Sequence, residues 1–349
     1  MASAPAHAPR LIVTRTPLRV SFAGGGTDLS AFYDVEPGAV VSTAITQYVY
    51  VTVKRHSELY LNRPDGPGGT AGAVRVCYSK SEEVATIDEI ENNIARECLR
   101  FLEIEPPIYV STVGDVPAST GLGGSSAFAV GLLNALHALR GERVTPGQLA
   151  EEACHVEIDR LGEPIGKQDQ YAAAFGGMNV FCFFADGGVT TQHVNLGSTG
   201  GAFLFDNILM FWTGHQRAAS EVLTKQRSNT PTELDRLRRM RDQVWDIKTL
   251  FQDGSIDLYS LGKVLDEGWR LKRGLAEGVS NSEIDRVYER ALDAGALGGK
   301  LCGAGGGGLL LFIVPPDRQD AVRAAVAPLA ELDVSYEVHG SQVVAPFTH

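Results

Sequence analysis

Apolar and polar positions divide this chain into short β-branched or aromatic runs and longer stretches of helical period. Runs bounded by Gly, Pro or Asp predict strands over Leu11 to Thr14, Arg19 to Ala23, Tyr48 to Lys54, Ile108 to Val113 and Met178 to Phe184. Between the last two, two helices are expected. One follows Ser126 with apolar positions Val130, Leu133, Ala135 and Leu136; the other opens at Thr145-Pro146-Gly147-Gln148, a capping box with Pro at the first helical position. The second half begins with strands around Ala202 to Asp206 and Leu209 to Thr213. Helices follow from a second capping box, Thr230-Pro231-Thr232-Glu233, and from Asn281-Ser282-Glu283-Ile284, the latter stopping near Gly295. Strand returns at Leu309 to Val314, then helix from Asp317 to about Leu329, then strand over Val334 to Val338. The pattern predicts an α+β protein of two packed halves, residues 1–187 and 188–349, each a mixed sheet with helices, sharing a cleft. No short repeat is present, and the boundary near Asp186-Gly187-Gly188 carries no low-complexity linker.

Composition narrows the classes. The 349 residues suit about two domains, and 44% hydrophobic with 21% charged residues is globular composition. A net charge of -11 argues against a nucleic-acid partner. Five scattered cysteines without a CxxC pair fit free thiols in a reducing compartment better than disulfides or zinc. No apolar run reaches membrane-span length, and Met1 to Pro9 lacks the basic and apolar regions of a signal peptide, so a cytoplasmic protein with no membrane partner is expected.

Three glycine-rich segments are the candidates for chemistry. Pro117-Ala118-Ser119-Thr120-Gly121-Leu122-Gly123-Gly124-Ser125-Ser126-Ala127 runs straight into a helix. Glycines admit a ligand close to the backbone, and a helix start offers free N–H groups and a positive dipole end, so the loop suits a phosphate. Its serines can bond phosphate oxygens or complete the shell of Mg²⁺; a flexible turn with a Ser cap is the plain alternative. Gly24-Gly25-Gly26-Thr27-Asp28 follows a strand and suits either a diol-binding carboxylate or a turn with Asp28 as helix cap. Gly303-Ala304-Gly305-Gly306-Gly307-Gly308 formally matches GxGxxG, but a helix is expected before it and a strand after, the reverse of a dinucleotide fingerprint. Gly162 to Gln168 imitates a P-loop with the wrong spacing and no Ser or Thr. Glu157 and Asp169 are the carboxylates that a metal site and a nucleophile would need, although each alone reads more readily as a solvated surface acid.

In order, these segments resemble the GHMP family of small-molecule kinases. Thr16 to Gly24 is similar to its first motif, Pro117 to Ala127 to its second and Lys300 to Gly308 to its third. Gly24 to Asp28, Tyr78-Ser79-Lys80, Gly166 to Ala174 and Trp269 to Arg273 resemble the branch that includes D-glycero-D-manno-heptose 7-phosphate kinase, with fucokinase-like enzymes close by. The resemblance implies the two-domain fold of that family with ATP in the inter-domain cleft, and ATP- and Mg²⁺-dependent phosphorylation of an anomeric hydroxyl. The small-molecule partners would be ATP and a sugar phosphate; a homodimer is compatible with this reading.

Carried over residue by residue, the resemblance makes Asp169 the catalytic carboxylate and Arg19 its cationic partner. Pro117, Gly121, Leu122, Gly123, Gly124, Ser125 and Ser126 would wrap ATP, and Ser125 with Glu157 would hold Mg²⁺. The second motif carries one extra residue, so counting from the glycines selects Ser125 and counting back from Ala127 selects Ser126; the first is preferred here. Gly25, Gly26, Thr27, Asp28, Gly305 and Gly306 would meet the sugar. A phosphate already on that sugar needs a basic pocket, for which Arg217, Lys272 and Arg273 are the candidates, the last two about 100° apart on a helix. A different sugar 1-kinase, or a catalytically silent sugar or nucleotide sensor, are the rival readings; intact Arg19, Glu157 and Asp169 speak against the sensor.

Overall fold

A computed structural model describes residues 11–55, 73–215, 219–252 and 256–347. Two sheets organise them. In the first, β1 (Leu11–Ala23) lies antiparallel to β2 (Gly38–Arg55), and β2 serves two further partners. Its end from Val49 to Arg55 pairs with β5 (Ile108–Gly114), and its start from Gly38 to Thr43 pairs with β6 (Met178–Phe183). β3 (Val74–Cys77) runs parallel to β5 and antiparallel to β4 (Ser81–Val84); β7 (Val189–His193) pairs with β6, and β12 (Gln342–Phe347) with β1. The second sheet has the order β11 (Ala330–Glu331), β8 (Ile208–Trp212), β10 (Leu309–Ile313), β9 (Gly298–Leu301). Strands from both sides of the boundary at 187/188 therefore build the first sheet.

The helices are α1 (Ser30–Tyr33), α2 (Asn93–Phe101), α3 (Gly124–Leu139), α4 (Pro146–Cys154), α5 (Gln168–Phe175), α6 (Gly197–Asp206), α7 (Ala219–Asn229), α8 (Leu234–Gln252), α9 (Leu258–Arg273), α10 (Ser282–Asp293) and α11 (Gln319–Val326). α3 is buried along most of its length against β1 and β2. Gly131 permits the close approach: the Thr14 hydroxyl donates to its carbonyl at 2.8 Å, and a Cβ there would lie 2.7 Å from Thr16 Oγ1. This contact fixes where the N-terminus of α3 sits relative to Arg19 on β1. One apolar core runs through both halves, joining Val20, Val40 and Leu133 to Val244, Leu261 and Leu311.

Several expected elements differ. Leu11 to Ala23 is a single strand. Pro17 has no N–H to give the ladder, so the register shifts between Pro17 and Leu18 where a break was expected. β2 begins ten residues before the expected Tyr48, because its first eight residues are buried on both faces and show no alternation. Ala202 to Asp206 is helical, not strand: Gly201 packs directly on the Tyr336 ring, where a Cβ would lie 2.4 Å from Cδ1. Val334 to Val338 forms only one bridge, Ile45 with Tyr336, and the last strand is β12. Thr230 does not cap a helix; its hydroxyl donates back to the Gln226 carbonyl at 3.0 Å within a 3-10 turn. Thr145 does cap α4, accepting from Gln148 N at 3.2 Å, but the Gln148 side chain bonds Glu152 and leaves the box half made.

At the far end of α3, His137 is buried between two carboxylates, Nδ1 to Glu142 at 2.6 Å and Nε2 to Glu152 at 2.7 Å. Burial opposes its charge, but the bonds and charges of Glu152 and Glu142 outweigh it, and the imidazole is held above its ordinary range. A base with a raised folded-state pKa stabilises the fold fully below its unfolded value and loses that contribution as pH rises through the raised value. Thermal unfolding should therefore show that His137→Gln destabilises the protein more at pH 6 than at pH 9; an equal loss at both would exclude an imidazolium here.

Candidate active site

The three glycine segments meet at one cleft of about 380 Å³ between the sheets. Gly121, Gly123, Gly124, Ser125 and Ser126 form one wall; Gly25, Gly26 and Asp28 a second; Gly303, Ala304, Lys272 and Lys300 a third. Gly121 and Gly123 have φ of 83° and 78°, and Gly123 stands at the N-cap of α3. The loop thus delivers the first-turn N–H groups of α3 to the cleft, and these have no acceptor within the helix. Pro117 is exposed and Leu122 is fully buried, and neither lines the cleft. Leu122 is an anchor: its carbonyl accepts from Arg19 N at 3.1 Å.

Arg19 and Asp169 form the centre. The guanidinium makes a fork on the carboxylate, Nε to Oδ1 at 2.7 Å and NH2 to Oδ2 at 2.8 Å, while NH1 donates to the Gly121 carbonyl at 2.7 Å. Gln168 adds a bond to Asp169 Oδ1 at 3.2 Å and is itself fixed by Ser21 at 2.6 Å. Arg19 is almost fully buried, whereas Asp169 keeps a quarter of its side chain exposed. One cation therefore ties the phosphate-type loop to a carboxylate that opens on the cleft, and the bidentate geometry fixes its orientation.

Glu157 sits on a π-helical turn, His155–Arg160, that continues α4. It is buried, and that burial pushes its carboxyl up to about 7, against hydrogen bonds from Ser126 and Gln170. Gln170 Nε2 donates to Glu157 Oε2 at 2.7 Å, while its Oε1 is buried without a partner. Ser126 is the serine on Glu157; Ser125, preferred from the glycine count, is exposed at the cleft wall and has no such bond to Glu157. The reason is helical: α3 starts at Gly124, and successive residues turn by about 100°, so only the second serine faces α4. An under-compensated buried carboxylate with a hydroxyl and an orphan amide oxygen is a fitting donor set for a hard divalent cation. Among the described residues no cluster of three or more His, Cys, Asp or Glu forms a self-sufficient metal cage, so such a cation would rely on the phosphates it accompanies.

Asp28 is not a helix cap: α1 begins at Ser30 with no side-chain cap. Its carboxylate accepts from Gly26 N at 2.9 Å and faces the cleft, and burial, then the charge of Asp169, raise its pKa. Gly166 must be glycine to wrap it, since a Cβ there would lie 2.0 Å from Asp28 Oδ2. Thr27 is fully buried and off the cleft, its hydroxyl occupied by the backbone of Gly24 and Ala39. Gly305 and Gly306 also stand off it, packed on Val279, with Gly306 N donating to the Val279 carbonyl at 2.9 Å. The glycine-rich run Gly303 to Gly308 joins β9 to β10, so a strand and not the expected helix precedes it. Lys272 enters the cleft, Arg273 turns away to Asp285 at 3.0 Å, and Arg217 lies outside the described residues.

Lys300 is the cleft residue that sequence reading passed over as a motif's first letter. It is buried and donates to the Phe22 carbonyl at 3.2 Å, from the second sheet to the first. A lysine inside an apolar strand beside a glycine run was the available signal.

Residues 90–177 match the family model for the GHMP kinases N terminal domain, and residues 247–329 match that for the GHMP kinases C terminal domain. The chain is 30% identical over 315 residues to the D-glycero-alpha-D-manno-heptose 7-phosphate kinase of Campylobacter jejuni, spanning 89% of this chain and 91% of that one. It is 24% identical to the galactokinase of Pyrococcus furiosus, over 90% and 92% of the two chains. A solved structure described as a D-glycero-D-manno-heptose 1-phosphate kinase, from Bacteriodes thetaiotaomicron, shares the fold with a TM-score of 0.77 and 22% identity, covering 96% of this chain and 99% of that one. No helix among the described residues is long and apolar enough to cross a membrane.

Proposed function

The chain belongs to the GHMP kinase family, and on that premise we propose that it transfers the γ-phosphoryl group of ATP to the anomeric hydroxyl of D-glycero-D-manno-heptose 7-phosphate, giving the 1,7-bisphosphate. The observation that carries the reading is the fork of Arg19 on Asp169, fastened to Gly121 of the phosphate-type loop and facing Asp28 across one cleft. The similarity to the Campylobacter jejuni enzyme over most of both chains supports the choice of sugar.

The loop N–H groups at the start of α3 bind phosphate oxygens, and Arg19 holds the loop and Asp169 in one register. Asp169 accepts the hydrogen bond of the anomeric hydroxyl and orients its oxygen. A loose phosphoryl-transfer transition state asks for little deprotonation, so its main work is alignment. Asp28 receives neighbouring sugar hydroxyls. Glu157 and Ser126 would hold Mg²⁺, which supplies charge neutralisation on the phosphates when bound. Lys272 meets the phosphate that the sugar already carries.

The direct test is release of ADP over a panel of free sugars and sugar phosphates, with the phosphorylated position read from phosphorus–proton couplings of the product. Heptose 7-phosphate should be turned over with the highest kcat/KM; faster turnover of free fucose or galactose would overturn the choice of acceptor.

The serine register has its own test. Glu157→Gln and Ser126→Ala should each raise the Mg²⁺ concentration for half-maximal rate, the Glu change by more because it removes a charge, and Ser125→Ala by less than either. A Ser125→Ala effect exceeding that of Ser126→Ala would restore the other register.

A further inference from the structure

Lys272 on α9 and Lys300 on β9 are 7% and 8% exposed, and both line the cleft. Lys272 Nζ donates to the Gly303 carbonyl and Lys300 Nζ to that of Phe22. An ammonium has three N–H donors, so each keeps two beyond that single carbonyl. Among the described residues neither lysine makes an ion pair, while Arg19, the third cation of the cleft, is taken by Asp169. Two like charges buried without a direct ion pair are unfavourable until an anion joins them.

We propose that Lys272 and Lys300 together form a seat for a phosphate dianion beside Arg19 and Asp169. The assignment rests on the kinase reading for the source of that dianion: the phosphate of the acceptor sugar or the phosphoryl group in transfer. The free N–H donors of both ammoniums meet its oxygens, and two lysine charges match its own. Burial first, then Arg19, lowers Lys272 to about 8, against the attraction of Asp28 and Asp169; burial first, then Lys272 and Arg19, lowers Lys300 to about 7. A bound dianion reverses both shifts, so the seat gains protons as it fills.

Sulfate, a dianion at every pH used, is the probe. Calorimetric titration of the full chain at pH 8, in two buffers of different ionisation enthalpy, should show uptake of about one proton per sulfate bound. Lys272→Gln and Lys300→Gln keep a donor for the carbonyl and remove the charge, so they separate a seat from a mere tether between elements. Each should weaken sulfate binding by about tenfold to a hundredfold and reduce the proton uptake. In kinetics, a KM raised more for heptose 7-phosphate than for free heptose assigns the seat to the acceptor's phosphate; kcat lowered for both acceptors, with each KM kept, assigns it to the transferring group. Absence of sulfate-linked proton uptake by the unaltered protein overturns the seat, even if the variants fail to fold. Variants that lose sulfate yet keep unaltered kinetics on both acceptors overturn it too. Sulfate binding as expected in an enzyme that ignores heptose 7-phosphate leaves the seat standing and overturns the choice of acceptor instead.

Discussion

Asp169→Asn should reduce kcat by about 10²- to 10⁴-fold, the range that a lost base or orienting carboxylate commands, with KM for ATP nearly unchanged. Asn keeps the shape and one acceptor oxygen, but its amide turns N–H groups toward a guanidinium that has only donors to offer. Arg19 therefore loses half of its fork, and the acceptor hydroxyl loses a charged partner. The loop N–H groups belong to α3 and are not bonded by Asp169, so the nucleotide should still bind. Thermal unfolding run in parallel separates lost chemistry from lost folding. Activity near that of the unaltered enzyme would remove Asp169 from the mechanism.

Gly303→Ala should have a comparably large effect through backbone alone. Gly303 has φ of 72°, and a Cβ there would lie 2.4 Å from Gly121 Cα. Gly121 in turn has φ of 83° and would place a Cβ 2.6 Å from the Cys302 carbonyl oxygen. The two glycine runs thus touch backbone to backbone, and the third segment acts as the bed on which the phosphate-type loop lies. Alanine at positive φ costs about 1–2 kcal/mol, and the contact forces the loop to move as well. A displacement of about 1 Å in a positioned group is worth about a hundredfold in rate, so kcat/KM for ATP should fall by about that factor. The thermal midpoint should drop with it by a few degrees. Unchanged kinetics would mean that Gly303 does not support the loop.

Much of the site was legible because its chemistry is written locally. Glycines before a helix start, an Arg in a strand and an Asp after a turn are features of one segment each, and they place Arg19, Gly121, Gly123 to Ser126, Glu157 and Asp169 on the cleft. Counting letters does not say where α3 begins, so the choice between Ser125 and Ser126 turns on helix phase, and the structure puts Ser126 against Glu157. Thr27, Gly305 and Gly306 looked like ligand contacts and serve the backbone, because a short motif does not distinguish residues that touch a ligand from those that hold the loop that does. The bed formed by Gly303 could not be read from the chain, as it acts across about 180 positions, and Lys300, signalled only as a lysine beside a glycine run, meets its partner across 278.

The sequence by itself determined the α+β class, the three glycine segments and the carboxylates, since turn chemistry, helix starts and apolar runs depend on near neighbours. Tertiary structure decided what depends on distant ones. The glycines of 197–206 form a helix because the Tyr336 ring packs on Gly201, β12 completes the first sheet from the far end of the chain, and Arg19 selects Asp169 among the acids because strand and helix meet there. Burial of Glu157, Lys272 and Lys300 is likewise a property of the assembled cleft: the same letters on a surface would be solvated ions, and only desolvation between two sheets makes them responsive to the charges they bind.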